Sequence, residues 1–347
     1  VTSSAEVFHA RRRGRVALFT TVSVLLVATA IGSIMVGQFE LSVRELWPIL
    51  QAGPLSATSL EASVIWQIRL PRLVLGLFVG AALGVSGALM QAVFANPLAE
   101  PSVIGVSTGA GVGAAVALVF GLTTFGTMTV PVLAFISGTL ATAVVYFLSR
   151  VGGKVRVLNL ILVGIAANAI CGAIISVLTF MAPTTAREQI IFWQMGTLSG
   201  ANWAQTGAVT GVVIVSLTLA MLLGSKFDLL ALGDQAAYHV GLNVTRLRMA
   251  AIVLSTLLTA AAVSFAGLIG FVGLVVPHIV RTAVGPSNKV LLPASALGGA
   301  LLIGAGDILA RTIIPFADLP IGIFTALIGG PAFFLLLRQM IRKNHQI

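Results

Sequence analysis

The stretch Val157–Met181, VLNLILVGIAANAICGAIISVLTFM, holds no charged residue and only scattered polar ones. A helix of this length rises about 37 Å, enough to cross the hydrocarbon core of a bilayer. A helix apolar all round is buried in the core of a large protein or in a membrane, and 25 residues without a charge point to the membrane. Working outward, nine more apolar stretches of similar character lie at about 16–36, 72–94, 102–121, 128–149, 204–224, 247–266, 268–284, 291–310 and 320–339. The one at 268–284 is short and rich in glycine, which predicts a broken or tilted helix.

Composition agrees. Of the 347 residues, 58% are hydrophobic and 9% charged. Soluble proteins carry about a quarter charged residues, and this chain has too few to hydrate a surface of its size. The fold class is therefore all-α: a polytopic membrane protein of ten transmembrane helices. The first span is followed by many others and has no small-residue cleavage site, so it reads as a retained helix. The expected layout is a cytoplasmic segment at 1–15, a single ten-helix transmembrane domain at 16–340 and a cytoplasmic tail at 341–347.

Charge sets the direction. With the N-terminus inside and the spans alternating, the cytoplasmic side holds Arg11, Arg12, Arg13, Arg15, Arg150, Lys154, Arg156, Lys226, Arg246, Arg248, Arg281, Lys289, Arg338, Arg342 and Lys343. The outer side holds Arg44, Arg69, Arg72, Arg187 and Arg311. Fifteen of the 20 basic residues fall inside, the segregation that the positive-inside rule demands of ten spans with both ends cytoplasmic. The net charge of +10 is thus a matter of topology, and no nucleic-acid partner is expected.

Small residues recur at helical spacing. Gly80 with Gly84, and Gly105 with Gly109 and Gly113, place glycines on single helix faces where backbones can approach closely. Spans two to five and seven to ten form two sets of four that run in opposite directions, the pattern of an inverted repeat.

Chemistry-bearing motifs are few. No phosphate-binding G-x-x-x-x-G-K-[ST] loop occurs, because Gly224-Ser225-Lys226 lacks the upstream glycines, so the chain is not expected to be its own ATPase. No metal-ligand cluster, paired carboxylates or nucleophile elbow is present, and Cys171 stands alone. No catalytic residue and no resident metal or cofactor is expected. Asp307 is the main intramembrane acid, with Arg311 four residues on, which predicts a local ion pair. A secondary carrier or channel would need intramembrane charges or a polar filter, and an intramembrane enzyme a nucleophile–base pair at one depth.

Two connections stand out. The cytoplasmic loop at about 225–246 contains a short amphipathic run, Phe227 to Asn243, with Asp234 placed to cap it. It calls for a protein partner or for lipid headgroups. At the outer start of span two, Arg69-Leu70-Pro71-Arg72 sets two arginines around a proline suited to a first helical turn, with Arg311 at the same level. These outer arginines either dock an acidic partner or reach lipid phosphate.

Several stretches together resemble the FecCD family of ABC-transporter permeases, which import cobalamin, ferric siderophores and haem into bacteria. They are Arg69-Leu70-Pro71-Arg72; Gly87-Ala88-Leu89-Met90-Gln91 with Asn96-Pro97-Leu98-Ala99-Glu100-Pro101 and Gly105-Val106-Ser107-Thr108-Gly109-Ala110; Leu232-Gly233-Asp234 to Gly241; and Gly270-Phe271-Val272-Gly273-Leu274-Val275-Val276-Pro277-His278-Ile279-Val280-Arg281 with Leu319-Pro320-Ile321-Gly322 and Gly329-Gly330-Pro331. The resemblance runs from about Arg69 to Leu337. It implies a cobalamin-permease-like bundle, a second copy of the chain beside the pathway, and two ATP-binding subunits that use ATP and magnesium. It also implies an extracytoplasmic substrate-binding protein and a site in the bacterial inner membrane.

By motif position, Arg69, Arg72 and Arg311 would dock the binding protein. Leu232, Gly233, Asp234, Ala237 and Gly241 would couple to the ATPase. Gln91, Asn96, Pro97, Ser107, Gly109 and Met195 are candidates for the pathway or its gate, with ordinary packing the competing role of Met195. The pairing of Asn96–Pro101 with Gly329-Gly330-Pro331 looks closer to haem permeases than to siderophore permeases, many of which carry alanine at the second glycine. The expected substrate is haem, with a ferric siderophore or cobalamin as alternatives.

Overall fold

The computed structural model describes residues 4–39, 43–54, 59–152, 154–230, 237, 239 and 241–344. Each of the ten apolar stretches is helical. They form α1 (Ser4–Met35), α3 (Leu60–Phe94), α4 (Val106–Val119), α5 (Thr129–Leu148), α6 (Val157–Met181), α8 (Trp203–Leu222), α10 (Val244–Ala266), α11 (Val272–Val284), α12 (Asn288–Ala310) and α13 (Ile321–Asn344). Eight are long and apolar enough to cross a membrane, while α4 and α11 are shorter. Among the described residues, further helices are α2 (Val43–Ala52), α7 (Thr184–Met195) and α9 (Gly224–Leu230). A two-residue hairpin, β1 (Arg150–Val151) and β2 (Lys154–Val155), joins α5 to α6.

Burial sorts the helices by composition. The Gly- and Ala-rich α3 is the axis of the bundle, with 83% of its apolar window buried, against 72% for α10 and 61% for α12. The Leu-, Ile- and Val-rich α1, α6 and α13 lie at the rim, at 6%, 17% and 17%. Lipid is as apolar as leucine, so helices associate there through close packing rather than hydrophobic transfer.

The α3–α12 seam shows how close. A Cβ placed on Gly80 would lie 2.2 Å from Gly299 O, and one on Gly84 would lie 2.2 Å from Ser295 O. The expected small-residue pair is therefore a helix-packing device. Gly113 does the same on α5, where a Cβ would meet Leu133 O at 2.2 Å.

Two details differ from the sequence reading. Pro71 opens the regular α-helical part of α3, but the helix has already begun at Leu60 and passes through a π-helical stretch, Val64–Arg69. That wider turn lets the chain continue past a proline that cannot donate a backbone hydrogen bond. The segment at 182–203 contains α7, whose mixed polar and apolar residues gave no spanning signal.

Span eight is broken as expected. Residues 267–271 are not helical, and α11 starts only at Val272, after Phe271 at a left-handed φ of 66°. Irregular backbone within a bundle is tolerated when protein covers it. Three glycines allow that cover. A Cβ on Gly267 would lie 2.1 Å from Trp193 O, one on Gly196 would lie 2.5 Å from Leu268 O, and one on Gly322 would lie 2.2 Å from Met195 O.

Candidate functional sites in the bundle

The three arginines expected on the outer side, Arg69, Arg72 and Arg311, meet at one end of α3 and α12, and all are buried. Arg72 Nε binds Asp307 Oδ1 at 2.9 Å, and its Nη1 binds Asp318 Oδ2 at 2.6 Å. Arg311 Nη2 donates to Ser33 O and Ser33 Oγ at 2.6 and 2.8 Å, and its Nε lies 3.7 Å from Asp307 Oδ2. The expected Asp307–Arg311 pair is present, but Arg72 is the nearer partner. Arg69 donates to the carbonyls of Ile34, Met35 and Phe39, tying the end of α1 to α3. Of the two acids, Asp307 is sequestered, while the Asp318 side chain keeps 30% of its surface open.

At the opposite end of α12, Asp228 of α9 accepts hydrogen bonds from Asn288 N and from Ser287 Oγ, the latter at 2.9 Å. It therefore caps the start of α12, where a carboxylate is favoured by free N–H groups and the helix dipole. Phe227 beside it is fully buried. Asp228 was not among the expected site residues, because its partner lies 60 positions away. Of the expected coupling residues, Leu232, Gly233 and Asp234 lie outside the described residues. Ala237 is buried, and its carbonyl accepts from Leu242 N across Gly241, whose φ is 80°.

A helix of 23 residues thus joins the two sites. At 1.5 Å per residue, α12 spans about 34 Å between the Asp228 cap and the Asp307–Arg311 end. Along Gly80, Gly84 and Gly299 its backbone lies against that of α3 with no room for a side chain between them.

The residues proposed for the pathway disperse. Gln91 is buried, donates to Leu274 O at 3.3 Å and accepts from Arg281 Nη2 at 3.2 Å. Asn96 is exposed and accepts from Leu98 N at 2.9 Å, shaping the turn that contains Pro97. Ser107 is half-buried near the start of α4. Gly109 lies in the α4–α5 seam, where Ser137 Oγ donates to its carbonyl at 2.7 Å. Met195 is partly exposed beside the Gly196–Gly322 crossing.

Sequence reasoning passed over Glu100 except as part of a motif. Its Oε1 accepts from Phe271 N at 3.0 Å. Burial pushes the Glu100 carboxyl above the ordinary carboxylate range, and the bonds from Phe271 and Ser102 pull it part of the way back.

The FecCD transport family model matches residues 25–339. The chain belongs to the FecCD transport family. Among the relatives of this FecCD permease, the hemin transport system permease protein HmuU of Yersinia pestis is 39% identical over 325 residues, covering 92% of this chain and 95% of that one. The cobalamin import permease BtuC of Halobacterium salinarum is 40% identical over 300 residues, covering 84% and 79%. The Fe(3+) dicitrate permease FecD of Escherichia coli is 35% identical over 326 residues, covering 94% and 99%. A solved chain described as an inward-facing conformation of a metal-chelate type ABC transporter superposes with a TM-score of 0.83 and 33% identity, over 93% of this chain and 99% of that one. This FecCD permease is accordingly the membrane subunit of an ABC importer, a multi-pass protein whose ATPase resides in separate subunits.

Proposed function

We propose that this permease moves haem inward as one half of a homodimer, in ten passes with both termini cytoplasmic. A binding protein docks at the Arg69–Arg72–Arg311 end, and two ATP-binding subunits act on the 225–246 loop. The observation that carries this reading is α12, capped by Asp228 from within that loop and bonded through Asp307 to the arginine cluster at its other end. Closure of the ATPases on ATP pushes α9, and α12 with α3 carries the displacement across the membrane.

The pathway runs beside Met195 and the Gly196–Gly322 crossing, where α6, α7 and α13 keep exposed apolar faces. Gln91 and Gly109 serve as hydrogen-bonding and packing residues. The inverted repeat gains support from α4 and α11, the second members of the two sets, with 14 and 13 residues. Each follows a left-handed residue, Gly105 or Phe271. Short, interrupted helices at matching positions of two halves are where transporters place their pathways.

Haem is favoured by the likeness to the hemin permease over nearly its whole length. The Gly330 position does not decide it by packing, since a Cβ there would meet nothing within 4 Å. Uptake into proteoliposomes holding the transporter, its ATPases and its binding protein tests the assignment. Hemin is expected to be transported in preference to cyanocobalamin and ferric citrate, with hemin followed by its absorbance. Preference for either competitor overturns haem and leaves the permease role standing. Docking is tested by Arg69→Glu and Arg72→Glu, which should weaken capture of the binding protein. A reciprocal acidic-to-basic change on the binding protein should restore it, which misfolding would not allow.

A further inference from the structure

We propose that Asp318 is an internal stand-in for the partner's carboxylate: docking exchanges Asp318 on Arg72 for an acidic side chain of the binding protein. The proposal rests on the docking reading above. Arg72 is buried, and its Nε side is closed by Asp307, whose side chain is 4% exposed. Its Nη1 faces the rim, and there the bonded group is Asp318, 30% exposed. A carboxylate arriving from outside therefore meets Arg72 at the position Asp318 holds.

Exchange is the route that never leaves Nη1 of the buried guanidinium without an acceptor, and a buried donor without a partner is unfavourable. Among the described residues, Asp307 serves both Arg72 and Arg311, so a further carboxylate arriving at Arg72 meets a cation that shares its inner partner.

The segment carrying Asp318 is built to yield. Residues 312–318 are all exposed. Phe316 is 90% exposed and sits at a left-handed φ of 61°, which a bulky side chain rarely adopts. Few buried contacts hold such a segment, so it belongs to the part of a fold that opens at low cost. Leu319 N bonds Ala310 O at 2.9 Å, so the loop is anchored just past Asp318 and can swing from that point. Release of Asp318 removes a tie between α3 and the α12–α13 connection, at the end of the helix that reaches the coupling loop.

The test uses the transporter with its ATPases in lipid nanodiscs and the purified binding protein of the same system as probe. Asp318→Asn removes the competitor, and docking should tighten by about two- to five-fold, the range expected of a half-exposed ion pair. Asp318→Glu should leave docking unchanged. Unchanged or weaker docking by Asp318→Asn overturns the exchange. Loss of docking in Arg72→Glu with no gain in Asp318→Asn overturns the exchange alone. Indifference of docking to both overturns the docking reading as well. A spin label on Phe316→Cys, in a Cys171→Ser background, should gain mobility when the binding protein docks. A label that stays equally mobile or becomes fixed contradicts release of the segment.

Discussion

Glu100 Oε1 accepts the backbone N–H of Phe271 at 3.0 Å, linking the connection before α4 to the break before α11. One acid thereby satisfies the N-cap residue of a helix 171 positions away, at a point where Phe271 offers no capping side chain of its own. The same place is crowded from the other side, because a Cβ on Gly329 would lie 2.2 Å from Phe271 Cβ.

Glu100→Ala should therefore lower stability by about 1–3 kcal/mol, the cost of a buried donor left without a partner. Glu100→Gln, which keeps an acceptor oxygen, should lose less. Thermal melting of the purified permease in detergent checks the order of the two.

The same residue should impose a pH dependence. Folding raises the proton affinity of its carboxyl, so the folded state keeps that proton to higher pH than the unfolded chain does. The stability involved is complete below the unfolded carboxylate range and is lost as pH rises through the raised value. The melting temperature of wild type minus that of Glu100→Gln should fall as pH rises above the ordinary carboxylate range, about pH 4. A flat difference would contradict the assignment.

Gly87→Ala should be severe, because its Cβ would fall 1.8 Å from Gly273 O and force α3 and α11 apart. Overpacking against rigid backbone costs about 1–3 kcal/mol or more. Gly211→Ala on α8 meets nothing within 4 Å and should be neutral or stabilising by up to about 1 kcal/mol. Melting of the two variants side by side tests whether glycine serves approach or merely occupies a helix.

Arg72→Met should cost about 3–5 kcal/mol by removing the nearer of the two cations on buried Asp307 and the bond to Asp318. Combining it with Asp307→Leu should recover part of that loss, with Arg311 keeping its bonds to Ser33. A double-mutant cycle on unfolding in mixed micelles reads the coupling.

Hydropathy alone located all ten helical segments, and glycine spacing pointed to the α3–α12 seam through Gly80 and Gly84. The broken eighth span was also legible, from its shortness and its glycines. The early start of α3 at Leu60 was not, since a π-helical turn leaves no period of its own in the sequence. Nor was α7, too polar to register as a span. Asp228, Asp318 and Glu100 stayed hidden because each acts on a residue distant in the chain.

Membrane residence and the positions of the long apolar helices belong to the sequence by itself, because transfer to lipid depends on residue type summed along a segment and needs no knowledge of neighbours. The tertiary structure decided the pairings. It buried Arg69, Arg72 and Arg311 against carbonyls and aspartates, where an outer arginine read alone suggests an open contact. It also set Asp228 and Asp307 at opposite ends of one helix. A charge in low dielectric takes whichever partner the packing brings within reach, and that reach is a property of the folded bundle rather than of chain order.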